Sequence, residues 1–311
     1  MSAAVPAAAL VLGLVAWPGD GLLSDGLAGD GLAGAGCPSL FARGRAPVLV
    51  NRKLATETVR LCYEAFAVLH SGISRTPIYV SEPLTRASVR NARAIDRTDS
   101  FHEEERLPEA DRARLDDYVR SGFDRGHMAP AGDMPSAAAQ AESFSLANVV
   151  PQNRVLNRGL WAAIEESVRR LAVARGQLFV VTGTIYAGTT IDSLDGRVLV
   201  PTSLFKALYD PARGEAAAYL VANRADAEWR SIPLGELATL SGIDVFPGLA
   251  ATAMDLPEPR TYSRGDGAGS DMAGGRPKGR MREEPGFEEW ALATLHRMAR
   301  RLLREVLRSI F

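Results

Sequence analysis

The chain has 311 residues, of which 46% are hydrophobic and 23% charged, enough for one large domain or two average ones with a full apolar core. Thirty-six basic against 37 acidic residues leave a net charge of −1, which excludes a uniformly basic nucleic-acid coat but allows a locally basic groove. No apolar run reaches the ~20 residues that a spanning helix needs, so no integral membrane span is expected.

Residues 3–17 form an apolar stretch of signal-peptide length, although no Lys or Arg precedes it. Asp-Gly-Leu then recurs at Asp20, Asp25 and Asp30, and this Gly-rich passage reads as a flexible linker. The residues before Cys37 lack the Leu of a lipoprotein box, so lipidation is not expected. The two cysteines, Cys37 and Cys62, have no histidine pattern of a zinc site. In an exported chain they would form a disulfide, and in a cytosolic one they would be buried thiols. The apolar start and the cysteine pair together give the expectation of a periplasmic or secreted protein.

Residues 37–255 read as one globular region. Val59, Cys62, Phe66 and Leu69 fall on one helical stripe, which predicts a helix over Val59–Leu69. Thr76–Val80 reads as a strand, and Ser88–Asp117 as a charged, irregular passage. Leu160, Ile164, Val168 and Leu171 predict an amphipathic helix over 159–175 that Gly176 stops. Leu178–Thr182, Arg197–Val200, Ser203–Tyr209 and Ala216–Ala222 read as strands, with a hairpin turn at Asp210–Glu215. Strands and helices do not alternate strictly, so the predicted class is α+β, a central and mostly antiparallel sheet flanked by helices. Residues 256–286, rich in Pro, Gly, Asp and Arg, are expected to be disordered. Residues 287–311 are expected to form an amphipathic helix with a basic end, docked on the domain or else serving a membrane surface or nucleic acid.

The chemistry concentrates between Asp117 and Glu165. Asp124-Arg125-Gly126-His127 holds one of only four histidines, and Asn148, Pro151, Gln152, Asn157 and Glu165 follow. Asn157, Trp161 and Glu165 are spaced i, i+4, i+8, which sets the amide and the carboxylate about two turns apart on one helix face. An amide oxygen is a hard neutral ligand suited to Mg²⁺, and a carboxylate two turns away can hold that ion's waters.

This set resembles the DNA/RNA non-specific endonuclease family, whose members have the ββα-metal fold. The Ser-Gly-Phe before the box, the Met-Ala-Pro after it, Val181-Thr-Gly183, and the 9-then-8 spacing of Asn148, Asn157 and Glu165 also fit. The resemblance covers about 37–255 and implies a nuclease core there. It implies His127 as general base, Asn157 as the one direct protein ligand of Mg²⁺ (with Mn²⁺ as an alternative), and Glu165 as the group that orients the metal's waters. Asn148 would position the phosphate or the hydrolytic water, and Arg125 would neutralise phosphate charge. One further arginine is expected among Arg90, Arg93 and Arg97, with Arg97 favoured by its spacing from Phe101. Asp124 is expected to fix the turn. The implied substrates are DNA and RNA cut to leave 5′-phosphate ends, and a homodimer is left open. Two rivals stand beside this reading: a phosphodiesterase for a non-nucleic substrate, and a catalytically silent module that only holds nucleic acid.

Overall fold

The computed structural model describes residues 37–260, so the expectations for 1–36 and for the C-terminal helix lie outside the described residues. Seven strands build the central sheet: β1 (Thr58–Cys62), β2 (Ala67–Ser71), β3 (Thr76–Thr85), β6 (Gln177–Ile185), β7 (Ser203–Asp210), β8 (Glu215–Ala222) and β9 (Trp229–Ile232). Their order is β9-β8-β7-β6-β3-β2-β1, with every neighbour antiparallel, and the short strand Thr252–Ala253 runs parallel to β8. A separate hairpin pairs β4 (Phe123–His127) with β5 (Val149–Asn153). It leads into the helix α2 (Ala162–Arg175), while α1 (Arg86–Ala92) and α3 (Leu234–Ser241) flank the sheet.

Both faces of the sheet are covered, which explains why its central strands are apolar at successive positions rather than alternately. On one face Val80, Leu84, Leu178, Val180, Leu204 and Leu208 pack under Trp161, Ile164 and Val168. On the other, Tyr79, Val181, Phe205 and Tyr209 meet Leu40, Phe41, Leu237 and Phe246. Gly183 serves this packing: a Cβ there would lie 2.2 Å from the Phe205 ring.

The helix predicted over Val59–Leu69 is corrected to a β-hairpin, β1 and β2 in register Val59↔His70 and Leu61↔Val68. Over eleven residues a helical stripe and two short alternating strands place apolar residues at overlapping positions. The turn decides it: the Tyr63 amide donates to the Phe66 carbonyl at 2.9 Å and the two rings stack at 4.4 Å. Cys37 and Cys62 are bonded, with Cα atoms 6.0 Å apart, and tie the start of the domain to β1. The charged passage is not wholly irregular, because Thr85 and Ser88 form a reciprocal cap that starts α1. Of the passage expected to be disordered, Leu256 is buried and the Tyr219 hydroxyl donates to the Pro257 carbonyl at 2.6 Å, while residues 261–286 lie outside the described residues. No described helix is long and apolar enough to cross a membrane.

Candidate active site

The hairpin and the helix after it set the site. Gly126 lets β4 and β5 close on each other, since a Cβ there would stand 2.1 Å from Gln152 Oε1 and 2.6 Å from Gln152 Cβ. The Asn153 side chain then caps the next turn, accepting from the amides of Val155 and Leu156 at 3.0 and 3.3 Å. Residues Asn157–Trp161 form a π turn before α2 begins. Eight positions overshoot two α-turns of ~3.6 residues by nearly one residue, and a wide turn takes up that excess. Asn157 and Glu165 therefore both line one cavity, while Trp161 between them is buried in the core.

That cavity, of about 500 Å³, is lined by Arg97, Phe101, Tyr118, Asp124, Arg125, His127, Asn157, Arg158 and Glu165, among others. The structure thus brings five of the six expected site residues together. Of the three candidate arginines it takes Arg97, whereas Arg93 pairs with Glu166 at 3.7 Å. Asn148 is the exception, because it does not line the cavity. It is fully buried, accepts from the Ala129 amide at 2.9 Å, and donates to the carbonyls of Ala129 and Ser143, both at 2.8 Å. These bonds hold the segment just after His127.

The His127 ring lies between Phe101 at 5.2 Å and Phe144 at 4.9 Å, and its buried Nε2 has no hydrogen-bond partner among the described residues. Burial, with the Arg97 cation adding to it and Asp99 opposing, lowers its pKa to about 4. The imidazole is therefore neutral at pH 7 and free to accept a proton. Arg97 donates to Asp99 at 2.7 Å, and its guanidinium sits over Phe144 at 5.3 Å. Arg125 is cradled by the Phe101 and Tyr118 rings at 5.2 and 5.7 Å and donates to the Leu115 carbonyl at 3.2 Å.

Asp124 does more than fix a turn. It accepts from Asn157 Nδ2 at 3.0 Å, from Arg158 Nε and Nη2 at 2.7 and 2.9 Å, and from Arg154 Nε at 3.2 Å. Burial alone would raise its pKa, but these donors win and hold the carboxyl below its usual value. An ionised carboxylate only accepts, so it fixes the Asn157 amide with the nitrogen inward and leaves Oδ1 for another partner. Among the described residues no cluster of three His, Cys, Asp or Glu side chains could cage a metal. One amide oxygen with a carboxylate in the same cavity fits instead a small hard cation that keeps most of its waters, as Mg²⁺ does.

Beneath the cavity runs a buried ionic chain that the sequence reading did not single out. Lys206 Nζ donates to Thr182 Oγ1 at 2.6 Å and to the Met128 carbonyl at 3.3 Å, stands 4.0 Å from Glu82, and lies 5.6 Å from the centre of the Trp161 ring. Arg169 pairs with Asp133 and Glu166, each at 2.9 Å. Burial pushes the Glu165 carboxyl up to about 7, with the Lys206 and Arg169 cations pulling it back. The available signal was a charge inside an apolar strand, at Glu82 and at Lys206.

A family model described as DNA/RNA non-specific endonuclease matches residues 48–252. Nuclease C1 of Cunninghamella echinulata var. echinulata is 34% identical over 168 residues, covering 50% of this chain and 67% of its own. Nuclease 1, mitochondrial, of Schizosaccharomyces pombe is 32% identical over 184 residues, covering 53% of this chain and 56% of its own. The chain thus spans between about half and two thirds of such relatives. The solved structure of EndoG in complex with EndoGI superposes with a TM-score of 0.57 at 26% identity, covering 62% of this chain and 89% of that one. Several further relatives are mitochondrial nucleases by name, which overturns the expectation of a periplasmic or secreted protein. With the family model covering most of the sequence and the hairpin-helix site in place, the chain belongs to the DNA/RNA non-specific endonuclease family.

Proposed function

We propose that the chain is a Mg²⁺-dependent endonuclease, with Mn²⁺ as a substitute, that hydrolyses DNA and RNA without regard to sequence and leaves 5′-phosphate ends. The observation that carries this is the convergence of His127, Asn157, Arg97 and Arg125 on one cavity. His127, neutral at working pH, takes a proton from water directed at phosphorus, and the bond from phosphorus to the 3′-oxygen breaks, which leaves a 5′-phosphate and, after that oxygen takes a proton from solvent, a 3′-hydroxyl. Arg97 and Arg125 neutralise the diester and the charge that grows on it in the transition state. Asn157 offers Oδ1 to the cation, and Glu165 presents a carboxylate to the same space. Bound there, the cation supplies Lewis-acid stabilisation of phosphate charge. Groups that address phosphate alone carry no sequence information, in keeping with non-specific cleavage.

Incubation of a plasmid and of an RNA with Mg²⁺, with and without EDTA, tests the proposal. Degradation of both, abolished by chelator, is expected. Retention of nucleic acid without cleavage would favour the silent module. Turnover of small phosphodiesters with neither polymer cut would favour the non-nucleic phosphodiesterase.

A further inference from the structure

Two arginines stand on the turn that leads to Asn157. Arg154 and Arg158 are four positions apart, so their Cβ atoms share a face at about 5–6 Å. Both lean on Asp124, yet their side chains keep 57% and 66% of their surface in solvent. One carboxylate faces two cations, and one positive charge is left uncompensated. On the other side of Phe101 the balance reverses. There a second hollow holds Arg112 paired with Glu103 at 3.3 Å and Arg106 paired with Glu104 at 2.7 Å, with Glu105 in excess. A polyanion leaving the cavity therefore meets net attraction on the Arg154 and Arg158 side and net repulsion across this second hollow.

We infer that Arg154 and Arg158 form a phosphate subsite for a diester next to the scissile one, so that the nucleic-acid strand leaves the cavity across this turn. The inference rests on the nuclease reading and adds a direction to it. Asp124 engages Nε of Arg154, and Nε and Nη2 of Arg158, so each guanidinium is held by one edge while its remaining N–H groups have no partner among the described residues. A planar guanidinium suits phosphate oxygens better than an ammonium does. Exposed contacts of this kind are screened by salt, so the subsite shows itself in ionic-strength dependence.

The test compares the full chain with its Arg154→Ala, Arg158→Ala and Arg158→Lys variants. Two probes are used: a long DNA duplex and bis(4-nitrophenyl) phosphate, which has a single phosphate. For each alanine variant the plot of log(kcat/KM) on duplex against log salt should be shallower by about 0.9, with KM raised several-fold. Arg158→Lys should keep the full slope, and both alanine variants should lose proportionally more on the duplex than on the single-phosphate diester. Unchanged slopes in both alanine variants would overturn the subsite. So would equal losses on both probes, which would make the arginines mere supports of Asp124 and Asn157. A parent chain that cuts neither DNA nor RNA would overturn the nuclease reading itself, whereas a cutting parent with unaltered variant slopes would overturn the subsite alone.

Discussion

Replacing Asp124 by Asn keeps the shape of the clamp and changes only its charge and donor pattern. In the parent, both carboxylate oxygens accept, and the Asn157 amide is held with Nδ2 inward. In Asp124→Asn a single oxygen remains, and Arg154 and Arg158 can only donate. Hydrogen bonds that involve a charged group contribute about 1.5–3 kcal/mol, so the arginines claim that oxygen. The new NH₂ then faces Asn157 and favours the inverted amide, with Oδ1 turned away from the cavity. At about 1.4 kcal/mol per decade, the competent orientation falls roughly 10- to 150-fold. Since both arginines are more than half exposed, solvent screens these pairs and the cost in stability is small. The melting temperature should therefore move little. Plasmid cleavage titrated with Mg²⁺, alongside a thermal melt, reads both effects. The half-saturating Mg²⁺ concentration should rise at least about tenfold. A variant with the parent's metal titration would refute the claim that Asp124 sets the Asn157 amide.

Reducing the Cys37–Cys62 bond, or replacing both residues by Ser, should cost about 3 kcal/mol by loop-closure reasoning; an unchanged denaturant midpoint would show that the bond contributes nothing. Lys206→Met strips the counter-charge from Glu82, whose pKa burial already holds well above the usual carboxylate range, with Asp133 adding. An acid with a raised folded pKa loses stability as pH rises, so this variant should melt progressively lower from pH 5 to pH 9 than the parent does, and parallel curves would count against the buried pair. In the acid range the sign is opposite. Burial holds His70 and His127 at about 4, below the ordinary 6.5, so the stability they contribute is lost as pH falls through that interval. Burial favours a raised Glu104 pKa, but the bonds from Arg106 and Tyr63 prevail and hold it at about 2, so its contribution disappears from 4.5 downward. Melting temperatures should therefore decline from pH 7 to pH 3, with Glu104→Gln flattening the lower half; a level profile would contradict both assignments.

The strands at Leu178–Thr182, Ser203–Tyr209 and Ala216–Ala222 were legible because each is apolar enough to be buried on both faces. The helix after Asn157 was legible from its apolar spacing, but the π turn at its start was not, because hydrogen-bond register leaves no mark in composition. Val59–Leu69 misled because the turn runs through Glu64 and Ala65 between two stacked aromatic rings, with no Gly or Pro to mark it. Within the site, the short box and the amide-carboxylate pair were readable as residues. Asn148 was not, since one asparagine looks like another until its hydrogen bonds to Ala129 and Ser143 are seen. The double load on Asp124 likewise depends on Arg154 and Arg158 arriving from another element.

In the proposed mechanism His127 and Asn157 serve different parts of one reaction. Single-turnover cleavage of DNA, titrated with Mg²⁺ for His127→Ala and Asn157→Ala side by side, tests this most directly. Loss of the base should remove on the order of 10²–10⁴ in rate with the half-saturating metal concentration unchanged. Loss of the amide should shift that concentration upward. A near-normal rate in His127→Ala, or an unmoved metal titration in Asn157→Ala, would contradict it.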